Sequence, residues 1–211
     1  MEETRQPEAS AFTYWTPRHF RSAKTPAPIL AASRLHEDYL AIRSLDEDVA
    51  SIAEAAKGIV ETPAGFEPDY EVISRDGRRT FVHVLVEEAS DASKAEALEA
   101  SGKALEKGLA YQVVGEAWIS QEPRRRNARM VFSSRRTRVS PGDRVRILHH
   151  LDEQGKVQIL DLAKCVAASA DAVECVLALV GEGSVMIELD RTLAPETLCW
   201  RSEEPDGEAE D

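Results

Sequence analysis

Residues 68–85 read PDYEVISRDGRRTFVHVL, and this stretch decides the fold. Tyr70 and Val72 alternate with polar residues, as in a strand that has one buried face. Asp76-Gly77 is a dipeptide typical of a tight hairpin turn, where glycine supplies a positive φ. Residues 81–86 are apolar at five of six positions, which predicts a central strand covered on both faces. The stretch therefore predicts two strands joined by a tight turn.

A helix is predicted before this hairpin. Leu35, Tyr39 and Ile42 are spaced to lie on one helical face, and Ser33 is a suitable N-cap. Residues 49–56 have no strand pattern, and we expect them to be helical or irregular.

A second helix and another strand are predicted after the hairpin. Residues 92–107 have a helical pattern, with Ala95, Leu98 and Leu105 on one face. Residues 111–114 are expected to form one more buried strand. The order of helices and strands indicates an α/β core.

A new pattern begins at Ser140-Pro141, where serine fits the N-cap and proline fits the first turn of a helix. That helix is expected to extend to about residue 153, and Ser169 is expected to cap a later helix. The remaining predictions are a strand at 157–159, a helix at 160–166, and strands at 185–189 and 197–200. Three short helices with a terminal hairpin are typical of a winged helix.

Composition excludes several classes of protein. The formal net charge of −12 disfavours indiscriminate coating of nucleic acid. No stretch of 18 apolar residues offers a membrane span, and the polar N-terminus is unlike a secretory signal. The three cysteines form no CxxC pair, which is typical of reduced thiols in a cytoplasmic protein.

The negative charge hides a basic segment. Residues 124–146 contain nine arginines and a single acid, Asp143. Such a segment is either a solvated linker or a surface for an anionic partner such as DNA, whose phosphates attract arginine. The candidate DNA-binding residues are Arg124, Arg125, Arg126, Arg129, Arg135, Arg136 and Arg138.

Pro68-Asp69 lies where a magnesium-dependent nuclease can place a metal-binding carboxylate, because Mg²⁺ prefers oxygen ligands. Such enzymes commonly carry Glu-x-Lys on the neighbouring strand. This chain has His83-Val84-Leu85 at that place.

The chain resembles the TnsA family, the endonuclease subunit of heteromeric transposases in the PD-(D/E)XK nuclease superfamily. The order and spacing of several short segments carry the resemblance, rather than any single match. They are residues 33–40 (SRLHEDYL), 45–49 (LDEDV), 66–70 (FEPDY), 75–78 (RDGR), 111–116 (YQVVGE), 126–127 (RN), 188–193 (ELDRTL) and Thr197.

The resemblance implies a restriction-endonuclease-like αβββαβ core followed by a C-terminal winged-helix domain. The expected organisation is an N-terminal arm at residues 1–28, the nuclease-fold domain at 29–138, the winged helix at 139–202 and an acidic disordered tail at 203–211. By position in the family, Asp69 is the retained metal-binding aspartate. His36 replaces the helix glutamate, His83 replaces the second strand ligand, and Leu85 replaces the lysine. These departures predict an inactive nuclease centre.

The two histidines have other interpretations. His36 fits a surface or half-buried position, and His83 fits a buried position where its ring needs a hydrogen-bond partner. Asp69 is the expected partner of His83. A transition-metal site formed by Asp69, His36 and His83 stays open, because imidazole prefers Zn²⁺, Cu or Fe to Mg²⁺.

The C-terminal region has little chemistry for reading DNA. Its long helix, near residues 170–182, carries Asp171 and Glu174 and no basic residue. The resemblance implies that this region engages a transposase or an ATPase regulator, and the acidic helix agrees with protein docking.

Three functions follow from these patterns. The first is a DNA-associated scaffold or regulatory partner from a transposition-derived system, a pseudoenzyme without a cofactor. The second is an active DNA endonuclease subunit that uses a divalent metal such as Mg²⁺. The third is a winged-helix transcriptional regulator.

Overall fold

A computed structural model describes residues 16–59, 67–86 and 89–202, which form a mixed α/β structure. The first elements in chain order are β1 (Arg18–Phe20), β2 (Ile29–Ala31), α1 (Arg34–Ser44), β3 (Val49–Glu54), β4 (Tyr70–Ser74), β5 (Arg79–Leu85), α2 (Asp91–Glu106) and β6 (Ala110–Gly115). They are followed by α3 (Glu116–Ile119), α4 (Arg124–Ser134), α5 (Pro141–Gln154), β7 (Val157–Gln158), α6 (Ile159–Lys164), α7 (Ala172–Gly181), β8 (Val185–Ile187) and β9 (Leu198–Arg201).

The central sheet has the strand order β3-β4-β5-β6. The first three strands are antiparallel neighbours, and the predicted turn joins β4 to β5, with Gly77 at a φ of 79°. β6 runs parallel to β5, because the chain returns through α2 and a parallel pair needs a long crossover. The hairpin and the central position of β5 are therefore confirmed.

The prediction for residues 49–56 is wrong, because most of this stretch forms the edge strand β3. Val49 and Ile52 are both fully buried although they lie three residues apart, a spacing that also fits a helix. In the sheet, this spacing reflects a register shift in the β3–β4 pairing between Val49 and Ser51. Such an irregularity moves the alternation of side chains by one residue.

The helix predicted at 92–107 is present as α2, but the predicted buried face is wrong. Leu98 and Leu105 are 74% and 77% exposed, whereas Ala97, Ala100 and Ala104 are buried. Alanine allows the helix to approach the sheet closely. The strand predicted at 111–114 is also present as β6. It is mostly half-exposed, because it lies at the sheet edge.

The part of the predicted arm that the structure describes is folded against the body. β1 pairs with β2 in a two-stranded antiparallel ribbon, and the pairing includes Phe20 opposite Ile29. Phe20 is 4% exposed, and its ring centroid lies 5.1 Å from that of Phe132. This segment of the predicted arm is therefore anchored, since a large aromatic side chain lies in the core.

The C-terminal elements follow the predicted order. Ser140 caps α5, its hydroxyl accepting the Asp143 N–H at 3.0 Å, and the helix ends before Gly155. The cap of α7 is Asp171 rather than the predicted Ser169. β7, β9 and β8 form an antiparallel three-stranded sheet.

α4 joins the two halves of the chain, and the sequence patterns did not predict it as a helix. Asn127 on this helix has no exposed surface, and its side-chain amide donates to the carbonyls of Leu189 at 2.8 Å and Arg191 at 2.6 Å. One hydrophobic cluster includes residues from both predicted domains, such as Ile52 and Leu179.

Two expectations from composition concern the cysteines and membrane spans. All three cysteines are free thiols, and Cys175 and Cys199 are buried. Among the residues with described structure, no helix has the length and apolar character required to cross a bilayer.

Gly183 is a point of close approach between the turn after α7 and the segment that joins β1 to β2. Its φ is 80°, and a Cβ atom built on it would lie 2.7 Å from the Cβ of Ala23. We predict that Gly183→Ala lowers the free energy of unfolding by at least about 1–2 kcal/mol, the cost of left-handed backbone for an L-residue. Chemical denaturation measures this change.

The matched control for this substitution is Gly102→Ala. Gly102 lies inside α2, and an added Cβ atom would meet no atom within 4 Å. Alanine is favoured over glycine in a helix by up to about 1 kcal/mol, so this variant should be as stable as the wild type or more stable. Equal stability of the two variants would contradict the described packing at Gly183.

Candidate functional site

Asp69 lies directly before β4 and continues its pairing with β5. Its backbone N–H donates to the carbonyl of Val82 at 2.8 Å. The register pairs Tyr70 with Val82, which puts Asp69 opposite His83 on the neighbouring strand. Because side chains alternate along a strand, Asp69 and His83 emerge on the same face of the sheet.

Both oxygens of the Asp69 carboxylate are close to protein groups. Oδ2 accepts the Val84 N–H at 2.7 Å and lies 3.1 Å from Nδ1 of His83. Oδ1 lies 3.7 Å from Nε2 of His36. The structure therefore brings together the three residues that sequence analysis placed at the centre.

His36 is held at the start of α1. Its Nδ1 lies 2.7 Å from the hydroxyl of Ser33, the N-cap residue, and its ring packs edge-on against Tyr70. The side chain is 8% exposed. The ring is therefore anchored on one nitrogen by the helix cap and directs the other nitrogen toward Asp69.

The charge of Asp69 is stabilised in place. Burial opposes ionisation, but contacts with His36 and His83 and the hydrogen bond from the Val84 N–H outweigh it. Together they hold the pKa of Asp69 well below its usual range. The Asp69 carboxylate is therefore ionised at neutral pH and is stabilised by groups of the protein itself.

Sequence analysis missed Tyr111 and Glu71, which share this face. Tyr111 pairs with Phe81 on β5, and Glu71 pairs with Phe81 from the other side. The Tyr111 hydroxyl is buried and has no hydrogen-bond partner in the described part of the chain. Burial, and then the charge of Asp69, raise the pKa of Tyr111 to about 12. Alternation along β4 from Asp69 would have found Glu71, whereas Tyr111 requires the register between β5 and β6.

Glu37 on α1 and Lys94 on α2 do not replace the missing carboxylate and lysine, because each forms an ion pair with a neighbour on its own helix. Glu37 is 29% exposed and lies 3.4 Å from Arg34. The ammonium group of Lys94 is half exposed and lies 3.8 Å from Asp91. Leu85 occupies the lysine position on β5, and Glu87 falls outside the described residues.

The donor set does not fit Mg²⁺. Within residues 16–59, 67–86 and 89–202, no group of three His, Cys, Asp or Glu side chains is arranged to hold a metal ion. The cluster offers one carboxylate and two imidazoles, whereas Mg²⁺ requires oxygen ligands. Imidazole would suit a transition metal better.

Several arginines of the basic segment serve the fold. Arg129 forms a bidentate ion pair with Asp38, which is 4% exposed. Arg124 lies 3.4 Å from Asp46, and its guanidinium lies 5.5 Å from the ring centroid of Trp118. These two arginines neutralise carboxylates of α1 and the following loop, so their charge is largely used inside the molecule.

The other candidate DNA-binding arginines also differ in whether a carboxylate of the protein neutralises them. Arg125 donates to Glu122 at 2.8 Å. Arg126, Arg136 and Arg138 are exposed and form no ion pair with another described residue. Arg135 is also exposed and forms no ion pair with a described residue, although its Nη1 donates to the Arg21 carbonyl at 3.2 Å. These four, rather than all seven predicted arginines, offer unneutralised charge to a partner.

Asp171 and Glu174 take part in contacts within the protein. Asp171 caps α7 by accepting the Glu174 N–H at 3.0 Å, and Glu174 accepts a hydrogen bond from the Thr137 hydroxyl at 3.0 Å. Residues 175–180 of α7 are all buried. Beyond its exposed first turn, α7 is covered by the rest of the protein, which counts against insertion of this helix into a DNA groove.

Searches against protein-family models and against curated proteins find no match to this chain. The geometry of the centre and the distribution of charge are therefore the observations on which a function can be argued.

The contacts of Asp69 predict a pH dependence of stability. Because its folded pKa lies below its unfolded value, the group stabilises the protein above about pH 4, the ordinary aspartate pKa. That contribution is lost as the pH falls toward the folded pKa. We expect Asp69→Asn to cost about 1–3 kcal/mol at neutral pH, and the difference from the wild type to shrink between about pH 5 and pH 2.

Urea denaturation across this pH range measures the effect. The exposed Asp48 provides a control, since Asp48→Asn should change stability by less than about 0.5 kcal/mol. A cost of Asp69→Asn that stays constant with pH would contradict the proposed stabilisation of the carboxylate.

Proposed function

We propose that this protein is a DNA-associated relative of the TnsA endonucleases whose nuclease centre no longer cleaves, and that it acts as a scaffold or regulatory partner in a transposition-derived assembly. The observation that carries the proposal is the Asp69 carboxylate, held between His36, His83 and the Val84 N–H. The two histidines lie beside this carboxylate, where a magnesium ion would require oxygen ligands.

The arrangement of the core supports the proposed ancestry. The order α1, β3, β4, β5, α2, β6 and the sheet order β3-β4-β5-β6 agree with an αβββαβ nuclease core. The three helices α5, α6 and α7 with the β8–β9 hairpin agree with a winged helix after it. The position of Asp69 at the start of β4 agrees with the metal-binding aspartate of that core.

The chemistry of the centre supports the loss of cleavage. Phosphodiester hydrolysis of this type needs metal ions that stabilise the attacking and leaving oxygens. Removing one oriented electrostatic group commonly costs about 10²–10³ in rate. Here two ligand positions carry imidazole, and the lysine position carries Leu85, which supplies neither charge nor a proton.

The distribution of charge supports contact with DNA through α4 and the segment after it. Arg126, Arg136 and Arg138 are exposed and unneutralised, while the net charge of the chain is −12. Local basic groups on an acidic protein favour a confined contact with phosphates rather than coating of the duplex. In the proposal, the C-terminal region docks a transposase or ATPase-regulator partner instead of reading bases.

A nicking assay tests the loss of cleavage. Supercoiled plasmid is incubated with the wild type, Asp69→Ala and Asp48→Ala in Mg²⁺ or Mn²⁺. We expect no nicking by any of the three proteins. Metal-dependent nicking by the wild type and by Asp48→Ala, but not by Asp69→Ala, would overturn the proposal in favour of an active endonuclease.

A variant with restored ligands extends this assay. His36→Glu, His83→Glu and Leu85→Lys together rebuild the expected ligand set around Asp69. Metal-dependent nicking by this triple variant alone, at a rate of at least about 10²-fold above the wild type, is the expected result if only these groups are missing.

Salt-dependent binding tests the DNA contact. Replacing Arg126, Arg136 and Arg138 by alanine should weaken binding to duplex DNA. It should also reduce the slope of log affinity against log salt by up to about 3, or roughly 0.9 for each phosphate that is no longer neutralised. Fluorescence anisotropy between 50 and 200 mM salt, the range in which affinity falls by about 10³–10⁵ for proteins that bind many phosphates, measures both.

The control removes three cations from other surfaces. Lys57 and Arg78 are exposed, and Lys164 is 67% exposed, so their alanine variant changes net charge equally. If both triple variants weaken binding to the same extent, the contact is not located at α4. If the wild type does not bind DNA, the proposed association is wrong.

A further inference from the structure

α2 is apolar on two sides, and the chain covers only one of them. The covered side consists of Ala97, Ala100 and Ala104. On the other side, Leu98 and Leu105 are 74% and 77% exposed, more than any other large apolar side chain of the described residues. Neither leucine belongs to a hydrophobic cluster of the described structure. This side of the helix therefore carries apolar surface that the fold does not use.

The uncovered side has the spacing of a coiled-coil seam. Its four residues, hereafter the α2 stripe, are Ala95, Leu98, Gly102 and Leu105, all of them exposed. They lie three, four and three residues apart, which is the alternation of the a and d positions of a heptad. At roughly 100° per residue they span about 80° of the helix circumference. The α2 stripe is therefore narrow and continuous, as in a helix that packs against one other helix.

The residue types in the α2 stripe suit close contact with a second helix. Leucine occupies both d positions, as it commonly does in parallel two-stranded coiled coils. The a positions carry Ala95 and Gly102, and a Cβ atom added at Gly102 would meet no atom within 4 Å. Small side chains at these positions let another backbone come near, so the leucines can bury their side chains against the facing helix.

Two charged residues flank the α2 stripe on opposite edges. Lys94 occupies a g position and Glu99 an e position, and their side chains are 50% and 48% exposed. Lys94 lies 3.8 Å from Asp91, and Glu99 lies 2.7 Å from Lys103. Exposed pairs within one helix contribute little to stability, so both groups stay able to bind a charge on a second helix.

These charges select the orientation of the second helix. In a parallel pair, a g residue of one helix faces the e residue of the next heptad on the other. Two copies of α2 would therefore form the Lys94–Glu99 pair twice, once on each edge. In an antiparallel pair, e positions face each other, and the carboxylates of Glu99 and Glu106 would meet their own copies. Such like-charge contact is unfavourable, so the charge pattern favours the parallel arrangement.

We propose that α2 is an interface between two copies of this chain, with the α2 stripes in contact and the two helices parallel. A second copy supplies both the matching apolar stripe and the complementary charge at each edge. The proposal goes beyond the proposed function and does not depend on DNA association. Two helices of 16 residues bury less than the roughly 1,600 Å² of a standard interface, so we expect a dissociation constant of about 1–100 μM.

Sedimentation analysis of the full chain tests the interface. Leu98→Glu with Leu105→Glu places carboxylates in the seam, and we expect it to raise the dissociation constant at least about tenfold. The matched control is Val145→Glu with Leu160→Glu, which changes two exposed apolar residues on α5 and α6 and should dimerise like the wild type. Thermal unfolding midpoints verify that the variants are folded. A wild type that stays monomeric up to about 200 μM, or equal weakening by both double variants, would overturn the proposal.

Charge reversal tests the pairing at the edges. Lys94→Glu and Glu99→Lys each create like-charge contacts between the copies, and we expect each to weaken dimerisation about threefold or more. The variant that combines both changes exchanges the two charges and restores the attraction, so its dissociation constant should return to within about twofold of the wild type. Additive weakening in the combined variant would contradict the Lys94–Glu99 contact.

Disulfide formation tests the orientation. In the parallel dimer Ala95 lies beside Ala95 of the second copy, so Ala95→Cys should yield a covalent dimer under mild oxidation. An antiparallel pair that sets each leucine against a small residue would place Ala95 opposite Leu105. The two introduced thiols would then lie about 15 Å apart along the helices, beyond the reach of a disulfide.

Non-reducing electrophoresis measures the covalent dimer. The wild type, with its three native thiols, and Val145→Cys on the exposed side of α5 are the controls, and neither should cross-link. Failure of Ala95→Cys to cross-link at concentrations where the protein is dimeric would overturn the parallel arrangement.

Discussion

The carboxylate of Asp69 is the group around which this centre is built. A half-buried anion needs compensation, and two elements supply it: β5 through His83 and the Val84 N–H, and α1 through His36. The Ser33 hydroxyl, at the cap of α1, holds the His36 ring. These contacts hold the start of β4 against β5 and α1. They also place two imidazoles, rather than oxygen ligands, beside the carboxylate, whereas Mg²⁺ requires oxygen ligands. The same interactions that stabilise the fold here therefore argue against magnesium chemistry.

The centre keeps one unusual feature besides this compensated charge. The Tyr111 hydroxyl is buried without a hydrogen-bond partner among the described residues, on the same face of the sheet as Asp69. Buried hydroxyls are normally satisfied by protein or water.

Polar side chains on two sides of α4 bind different parts of the protein. Toward α1 it neutralises the buried Asp38 through Arg129, and toward the C-terminal half it holds two carbonyls through Asn127. Truncating Arg129 would leave the buried Asp38 charge unpaired, and truncating Asn127 would leave two carbonyl groups without their donor. Both changes would lower the stability of the fold. The arginines that stay available to an external anion are therefore those on other faces of α4, such as Arg126, and those in the segment after the helix. This division is compatible with the proposed local contact between an acidic protein and phosphate groups.

The sequence by itself determined the hairpin, the caps of α1 and α5 and the pairing of Asp69 with His83, because local turn chemistry and a period of two specify them without reference to the rest of the chain. Only the tertiary structure decided that residues 49–54 form a strand, that Leu98 and Leu105 face solvent, and which arginines are neutralised. A register shift, the close approach of an alanine face and an ion pair between Arg129 and Asp38 all depend on which segments meet in space.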